Sequence, residues 1–273
     1  MPKISVITGA YNIGKCYSYK KSVESILRQT FKDFEFVICD DGSSDNTWEL
    51  LSELAEKDKR VKLLRNKKNI GLAASLNRCI EASSGEFIAR HDCDDISAPK
   101  RFEKQIDFFK THKDISVLGC NVYLFDENGV WGKEDFPAVV RNEDFLFTSP
   151  YKHGSVMFRR EALINAGCYR VAKETYRTED YDLFMRMQSD CKGANLNERL
   201  YYFCEDHSAQ KRRKYRYRLD EARVRYKGFK RLGLMPRGLP YVVKPLIVGL
   251  IPNYMLSKLK RCYYKQKVVE KQK

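Results

Sequence analysis

Three carboxylates within four residues, Asp92, Asp94 and Asp95, are the densest chemistry in this chain. They follow Phe87-Ile88-Ala89, a short apolar run that predicts a buried strand. Carboxylates this close repel one another, and a cation that joins them relieves the repulsion. Hard oxygen ligands at a strand's C-terminal end suit Mn2+ or Mg2+. That edge is also where open α/β sheets bind ligands. The chemistry on offer is a metal site that holds a substrate diphosphate. An isolated Asp-rich turn is also an ordinary way to leave a strand, because aspartate caps helices and builds turns. The surrounding elements must decide between the two.

Residues 4–8 predict a first buried strand, and Gly9-Ala10-Tyr11-Asn12 a tight loop after it. Small residues there let a ligand approach the backbone, and Tyr11 offers a flat face to a base. A plain strand-to-helix turn with a packing tyrosine fits equally well. Tyr19, Val23, Ile26 and Leu27 recur at helical spacing. Residues 34–39 read as a second strand running into Asp40-Asp41-Gly42-Ser43-Ser44-Asp45. One of the paired aspartates could shape this turn and the other read a base or ribose. Ser44 or Asp45 can cap a helix carrying Trp48, Leu51 and Leu54. Residues 61–64 form a third strand, and Leu72, Leu76, Cys79 and Ile80 mark the next helix. Strand and helix alternate over the first 90 or so residues, which means parallel βαβ units. Right-handed crossovers gather the loops after successive strands on one edge. The Gly9–Tyr11 loop, Asp40/Asp41 and Asp92/Asp94/Asp95 therefore share a rim.

Composition sets the bounds. The chain has 273 residues, 43% apolar and 32% charged, which is globular. Its formal net charge is +15, with the excess late in the chain, so an anionic partner is expected. Nine cysteines include no Cys-x-x-Cys pair, so neither a zinc site nor a redox motif has support. An odd number of thiols with no leader points to a reducing cytoplasm, with attachment to the inner face of the cell membrane left open. No run of about 18 apolar residues predicts a spanning helix.

Residues 4–12, 25–35, 40–47, 69–73, 85–89 and 92–95, in this order, resemble the family 2 glycosyltransferases of GT-A fold. The likeness is to the branch that builds capsule, O-antigen and exopolysaccharide chains. The resemblance implies an α/β architecture: a Rossmann-like, mostly parallel sheet flanked by helices, with a basic helical C-terminal appendage. It implies a nucleotide cradle at Gly9, Ala10 and Tyr11 and base contact at Asp41. It implies ribose and metal binding at Asp94 and Asp95, supported by Asp92. Many members carry proline in the first loop where this chain has Thr8-Gly9, which predicts a small change of loop shape.

In the second half, residues 115–125 predict a strand and Asp126-Glu127-Asn128-Gly129 a hairpin turn. Residues 153–160 predict a strand leading to a helix. His153 could touch an acceptor or a phosphate there, or be structural. Leu183, Phe184 and Met187 give a further helix an apolar face. Glu179 and Asp180 start that helix, where the macrodipole favours carboxylates. Acidic residues are ordinary at that position. The resemblance assigns Asp180 as catalytic base and Glu179 as a residue that orients the site, while Asp182 reads as structural.

These readings divide the chain into a catalytic unit over residues 1–207, with a donor half 1–98 and an acceptor half 99–207, and a basic helical region over 208–273. The expected activity is inverting, metal-dependent transfer of a sugar from a UDP-linked donor to a glycan or lipid-linked acceptor. A sugar nucleotidyltransferase, or a binding protein on the same fold, are the alternatives. The tail joins a dense basic run, Lys211 to Arg218 with interleaved tyrosines, to an apolar stretch broken by Lys244, Pro245 and Pro252. It reads as an interfacial anchor on an anionic membrane or as a helical pair packed on the catalytic unit. No nucleic-acid motif accompanies it.

Overall fold

The computed structural model describes residues 1–205, 215–251 and 255–256. Lys211–Lys214, Lys258, Lys260 and Arg261 lie outside the described residues, as does the expected boundary at 207/208.

Strands β1 (Ile4–Ala10), β2 (Phe34–Asp40), β3 (Val61–Arg65) and β4 (Phe87–Arg90) run parallel in the spatial order β3-β2-β1-β4. Helices α1 (Tyr19–Leu27), α2 (Thr47–Lys57) and α3 (Leu72–Ala82) make the crossovers. This is the βαβ succession read from the alternation of apolar runs and helical spacing. β1 extends further than expected, so Gly9 and Ala10 are strand residues and the loop begins at Tyr11.

The sheet continues through elements of the second half: β5 (Ile96–Ser97), α4 (Arg101–Thr111), β6 (Ile115–Asp126), β7 (Gly129–Glu134), β8 (Met157–Arg159), α5 (Arg160–Asn165), α6 (Glu179–Gln188) and β9 (Lys192–Cys204). Beyond β4 the order is β8-β6-β9-β5, with β7 paired to β6. Here the sheet is mixed. β8 runs antiparallel to β4 and β6, and β9 lies parallel to β6. β6 and β7 form the expected hairpin, closed between Asp126 and Gly129. His153–Ser155 is a short 3-10 turn rather than part of a strand.

β1, β2 and β4 are buried on both faces, and alternate side chains serve two cores. Ile7, Val37 and Ile88 pack with Leu76 and Cys79 of α3 and Phe184 of α6. Val6, Phe36 and Ala89 pack with Val23 of α1, Leu51 of α2 and Phe102 of α4. Two C-terminal helices follow, α7 (Arg216–Arg231) and α8 (Leu239–Val248). Val224, Phe229, Leu232 and Leu234 join the core that holds Phe184. The described part of the basic region is thus packed against the sheet domain. The eight described cysteines are free thiols, and no described helix is long and apolar enough to cross a membrane.

Candidate functional site

Two loops at the C-terminal edge are stitched together by side-chain caps. The Asn12 N–H donates to Ser43 Oγ at 3.0 Å, and the Ser44 N–H donates to Asn12 Oδ1 at 3.0 Å. Gly14 donates to Asp45 Oδ2 at 2.9 Å, and Ile13 to Thr47 Oγ1 at 2.9 Å. The loop after β1 is therefore held against the start of α2, and half-exposed Tyr11 projects from it. The paired aspartates divide their work. Asp40 is fully buried, takes the Ser43 N–H at 3.0 Å and pairs with Arg65 at 3.2 Å. Asp41 accepts from Ile70 N–H and Gly71 N–H, each at 2.9 Å, and from Asn66 at 2.7 Å. Asp41 sits at the wall of the cleft, but its carboxylate fastens the 69–71 turn.

The acidic loop after β4 is pinned from below. Thr8 Oγ1 donates to the His91 carbonyl at 2.7 Å, Ser22 Oγ to the Asp92 carbonyl at 3.0 Å, and Ser18 Oγ to the Asp94 carbonyl at 2.8 Å. Fully buried Arg90 pairs with the partly exposed Asp92 carboxylate. Asp94 is partly exposed as well. Asp95, expected as a metal ligand, lies deeper than Asp92 and Asp94. It is fully buried, and its Oδ1 accepts the Cys204 N–H at 2.7 Å. Its Oδ2 is buried, facing Gly154 beside the Tyr201 hydroxyl. A Cβ at Gly154 would lie 2.2 Å from that hydroxyl and 2.9 Å from Oδ2, so only glycine fits. Burial, with the charges of Asp94 and Asp92, pushes Asp95 well above the usual carboxylate range. Among the described residues no three His, Cys, Asp or Glu side chains converge on a metal position.

Glu179 and Asp180 begin α6. The Tyr181 N–H donates to Asp180 Oδ1 at 2.8 Å. Burial raises Asp180 and Asp92 adds to the rise, while the helix N–H groups and the Lys152 charge oppose it. Glu179 is pushed up to about 7, first by burial and then by the charge of Asp180. Asp182, on the other side of the helix, is held by Arg170 and Arg186, each at 2.8 Å, as a structural residue would be. His153 lines neither described cleft. Its Nε2 meets the Tyr169 hydroxyl at 2.8 Å and its ring packs on Tyr169 and Phe184. Burial and the Arg90 charge hold it well below the usual histidine range, and the residue remains partly exposed.

A cleft of about 1000 Å3 collects Gly9, Ala10, Tyr11, Asp41, the 69–75 segment and Glu179. Its remaining wall includes Tyr176, Arg177, Arg216 and Tyr217. A second cleft of about 400 Å3 holds Asp180 between Thr148, Ser149, Arg177 and the α7 residues Tyr217, Arg218, Glu221 and Arg225. Sequence reading missed these walls. Their signal was the alternation of arginine and tyrosine at 215–218, which also fits a membrane or nucleic-acid surface. Nor did it place β9, whose Tyr201 supports the acidic loop: the Asp92 N–H donates to its hydroxyl at 3.2 Å.

The comparisons with known proteins bear on the family and the fold. The glycosyl transferase family 2 pattern matches residues 5–177. EpsE of Bacillus subtilis, which carries the name of a glycosyltransferase, is 38% identical over 270 residues, covering 98% of this chain and 95% of that protein. The O-antigen biosynthesis glycosyltransferase WbnJ of Escherichia coli is 32% identical over 218 residues, 76% of this chain and 82% of its own. The fold is that of S. aureus TarS, solved with UDP-GlcNAc, at a TM-score of 0.71 and 18% identity over 89% of this chain and 73% of that one. With its strand-end loops facing a Glu-Asp helix start, a family match over more than half its length and a relative alike from end to end, the chain belongs to glycosyl transferase family 2 and is a glycosyltransferase of GT-A fold.

Proposed function

We propose that the chain transfers a sugar, with inversion, from a UDP-linked donor to a hydroxyl of a glycan or lipid-linked acceptor during surface polysaccharide assembly. The carrying observation is the position of Asp180: it lies in a cleft at the start of α6, within the electrostatic reach of Asp92 on the acidic loop. The names of WbnJ, an O-antigen enzyme, and of the TarS complex with UDP-GlcNAc support the product class and the donor class.

A divalent cation fits this donor set in one form. Asp92 and Asp94 are partly exposed hard oxygen ligands, and no third carboxylate joins them among the described residues. One or two carboxylates plus substrate phosphates is the usual protein share for Mg2+, and it suits Mn2+ too. Asp94, with Asp92, would hold the ion. When bound it would supply Lewis-acid neutralisation of the leaving diphosphate. Asp95 acts beneath them, as a buried post for the loop.

The chain's own residues do the rest. Tyr11 offers its ring to the base, and Asp41 keeps the 69–71 turn in place at the cleft wall. Asp180 takes the proton of the acceptor hydroxyl, worth about 10²–10⁴ in rate. Its raised basicity suits that task. Glu179 orients the donor side of the same helix start. Holding both sugars in line supplies the remaining advantage. Titration of a panel of nucleotide sugars with Mn2+, with Mg2+ and with EDTA tests the reading. Metal-dependent binding of a UDP-sugar, weakened by Asp94→Ala, is expected. Binding of no donor under any condition would overturn it.

A further inference from the structure

Helix α8 leaves an apolar face uncovered. Leu239, Val243, Ile247 and Leu250 are 46%, 45%, 60% and 74% exposed. The spacing of four puts Leu239, Val243 and Ile247 on one side of the helix, and Leu250 follows just past its end. Only Pro245 of the helix is fully buried. The neighbouring α7 shows a matching outer face, in which exposed Leu219 and Tyr226 alternate with exposed Arg223 and Lys230 at helical spacing.

The charge around this face is one-sided. The described residues 215–251 hold nine Lys and Arg and two Asp and Glu. An apolar stripe about 15 Å long cannot span a bilayer. Flanked by cations and tyrosines, it suits the headgroup boundary of an anionic one. A protein partner would more often meet an apolar patch with a mixed polar rim.

The face also adjoins the candidate acceptor cleft. Lys244 of α8 donates to the Phe147 carbonyl at 2.9 Å and sits over the Phe147 ring, which is 64% exposed. The next two residues, Thr148 and Ser149, line the cleft that holds Asp180. Gly249, at the end of α8, abuts Arg218 of the same cleft.

We propose that the exposed faces of α7 and α8 seat the enzyme on an anionic lipid surface and so bring the Asp180 cleft to an acceptor anchored in that surface. This rests on the transferase reading above and narrows its acceptor to a lipid-linked one. The test is sedimentation of the full chain with vesicles of phosphatidylcholine alone and with about 30% phosphatidylglycerol. The chain should sediment with the anionic vesicles only, and added salt should release it. Val243→Glu with Ile247→Glu, and separately Lys230→Glu with Arg231→Glu, should each weaken binding at least about tenfold. Melting and donor binding in solution should not change, so failure of the donor reading would show separately. Wild-type chain that stays in the supernatant with both vesicles would overturn the proposal. So would variants that sediment like wild type, or light scattering that finds a wild-type dimer split by Val243→Glu with Ile247→Glu.

Discussion

The Arg177 guanidinium lies 5.7 Å from the centre of the Tyr217 ring, and both side chains border the two clefts at once. Arg177 stands at φ 69°, just before α6, and Tyr217 comes from α7. Tyr176 packs against the same ring at 5.4 Å. The partition between the Glu179 side and the Asp180 side is thus built from two parts of the chain distant in sequence. A cation over a ring contributes only about 0.5–1 kcal/mol at an exposed site, so the ring cluster must share the task.

Removing that partition should affect both substrates. Tyr217→Ala is expected to lower kcat/KM about tenfold whether donor or acceptor is the varied substrate, a loss of about 1.4 kcal/mol in each case. Steady-state kinetics on the purified variant check this. Unchanged constants would make the pair a surface ornament.

Glu179 should tie stability to pH. Its folded value of about 7 lies above the ordinary 4.5, so the fold favours the neutral acid. Stability is then fully present at acid pH, falls as the unfolded chain ionises from the ordinary value upward, and reaches its low plateau above about pH 7. Glu179→Gln removes this cost. After allowance for solvent contact, it should stabilise the fold by about 1–2 kcal/mol at pH 8 and leave it unchanged at pH 4. Thermal melts at the two pH values decide; equal shifts at both would contradict the assignment.

Asp180 and Asp182 lie two residues apart and should fail differently. Asp182→Ala strips the partner from Arg170 and Arg186, and should cost about 3 kcal/mol and lower Tm by about 8 °C. The variant that remains folded should still transfer sugar. Melting curves and activity per folded molecule separate this from a catalytic defect.

Asp94 and Asp95 should also part company. Asp94→Asn is expected to weaken Mn2+-dependent donor binding at least about tenfold, because it removes a partly exposed ligand. Asp95→Asn should leave the metal response near wild type, since its carboxylate faces the Cys204 N–H and Gly154. Calorimetric titration with Mn2+ and a UDP-sugar distinguishes the two, and the reverse order would restore Asp95 as the ligand.

The first half of the fold was legible because local pattern and global position agree there. Apolar runs at β1, β2 and β4, helical spacing in α1 and α3, and Asp at the ends of β2 and β4 all name the same edge. Asp182 was legible as structural from the helix face it occupies. What the sequence leaves open is which way a side chain turns, because that depends on partners far away in the chain. Asp95 looks inward because Cys204 and Gly154, more than fifty residues off, receive it. His153 turns toward Tyr169 and Phe184. Asp41 spends its oxygens on the 69–71 turn. The walls supplied by α7 were hidden because a basic, tyrosine-rich helix has the same composition whether it lines a cleft, a membrane or a nucleic acid.

The most direct test is single-turnover transfer by Asp180→Asn set beside its donor affinity and melting temperature. The expected result is donor binding and melting equal to wild type, with transfer slowed by about 10² or more. Transfer at the wild-type rate by the purified variant would contradict the assignment of Asp180 as the base.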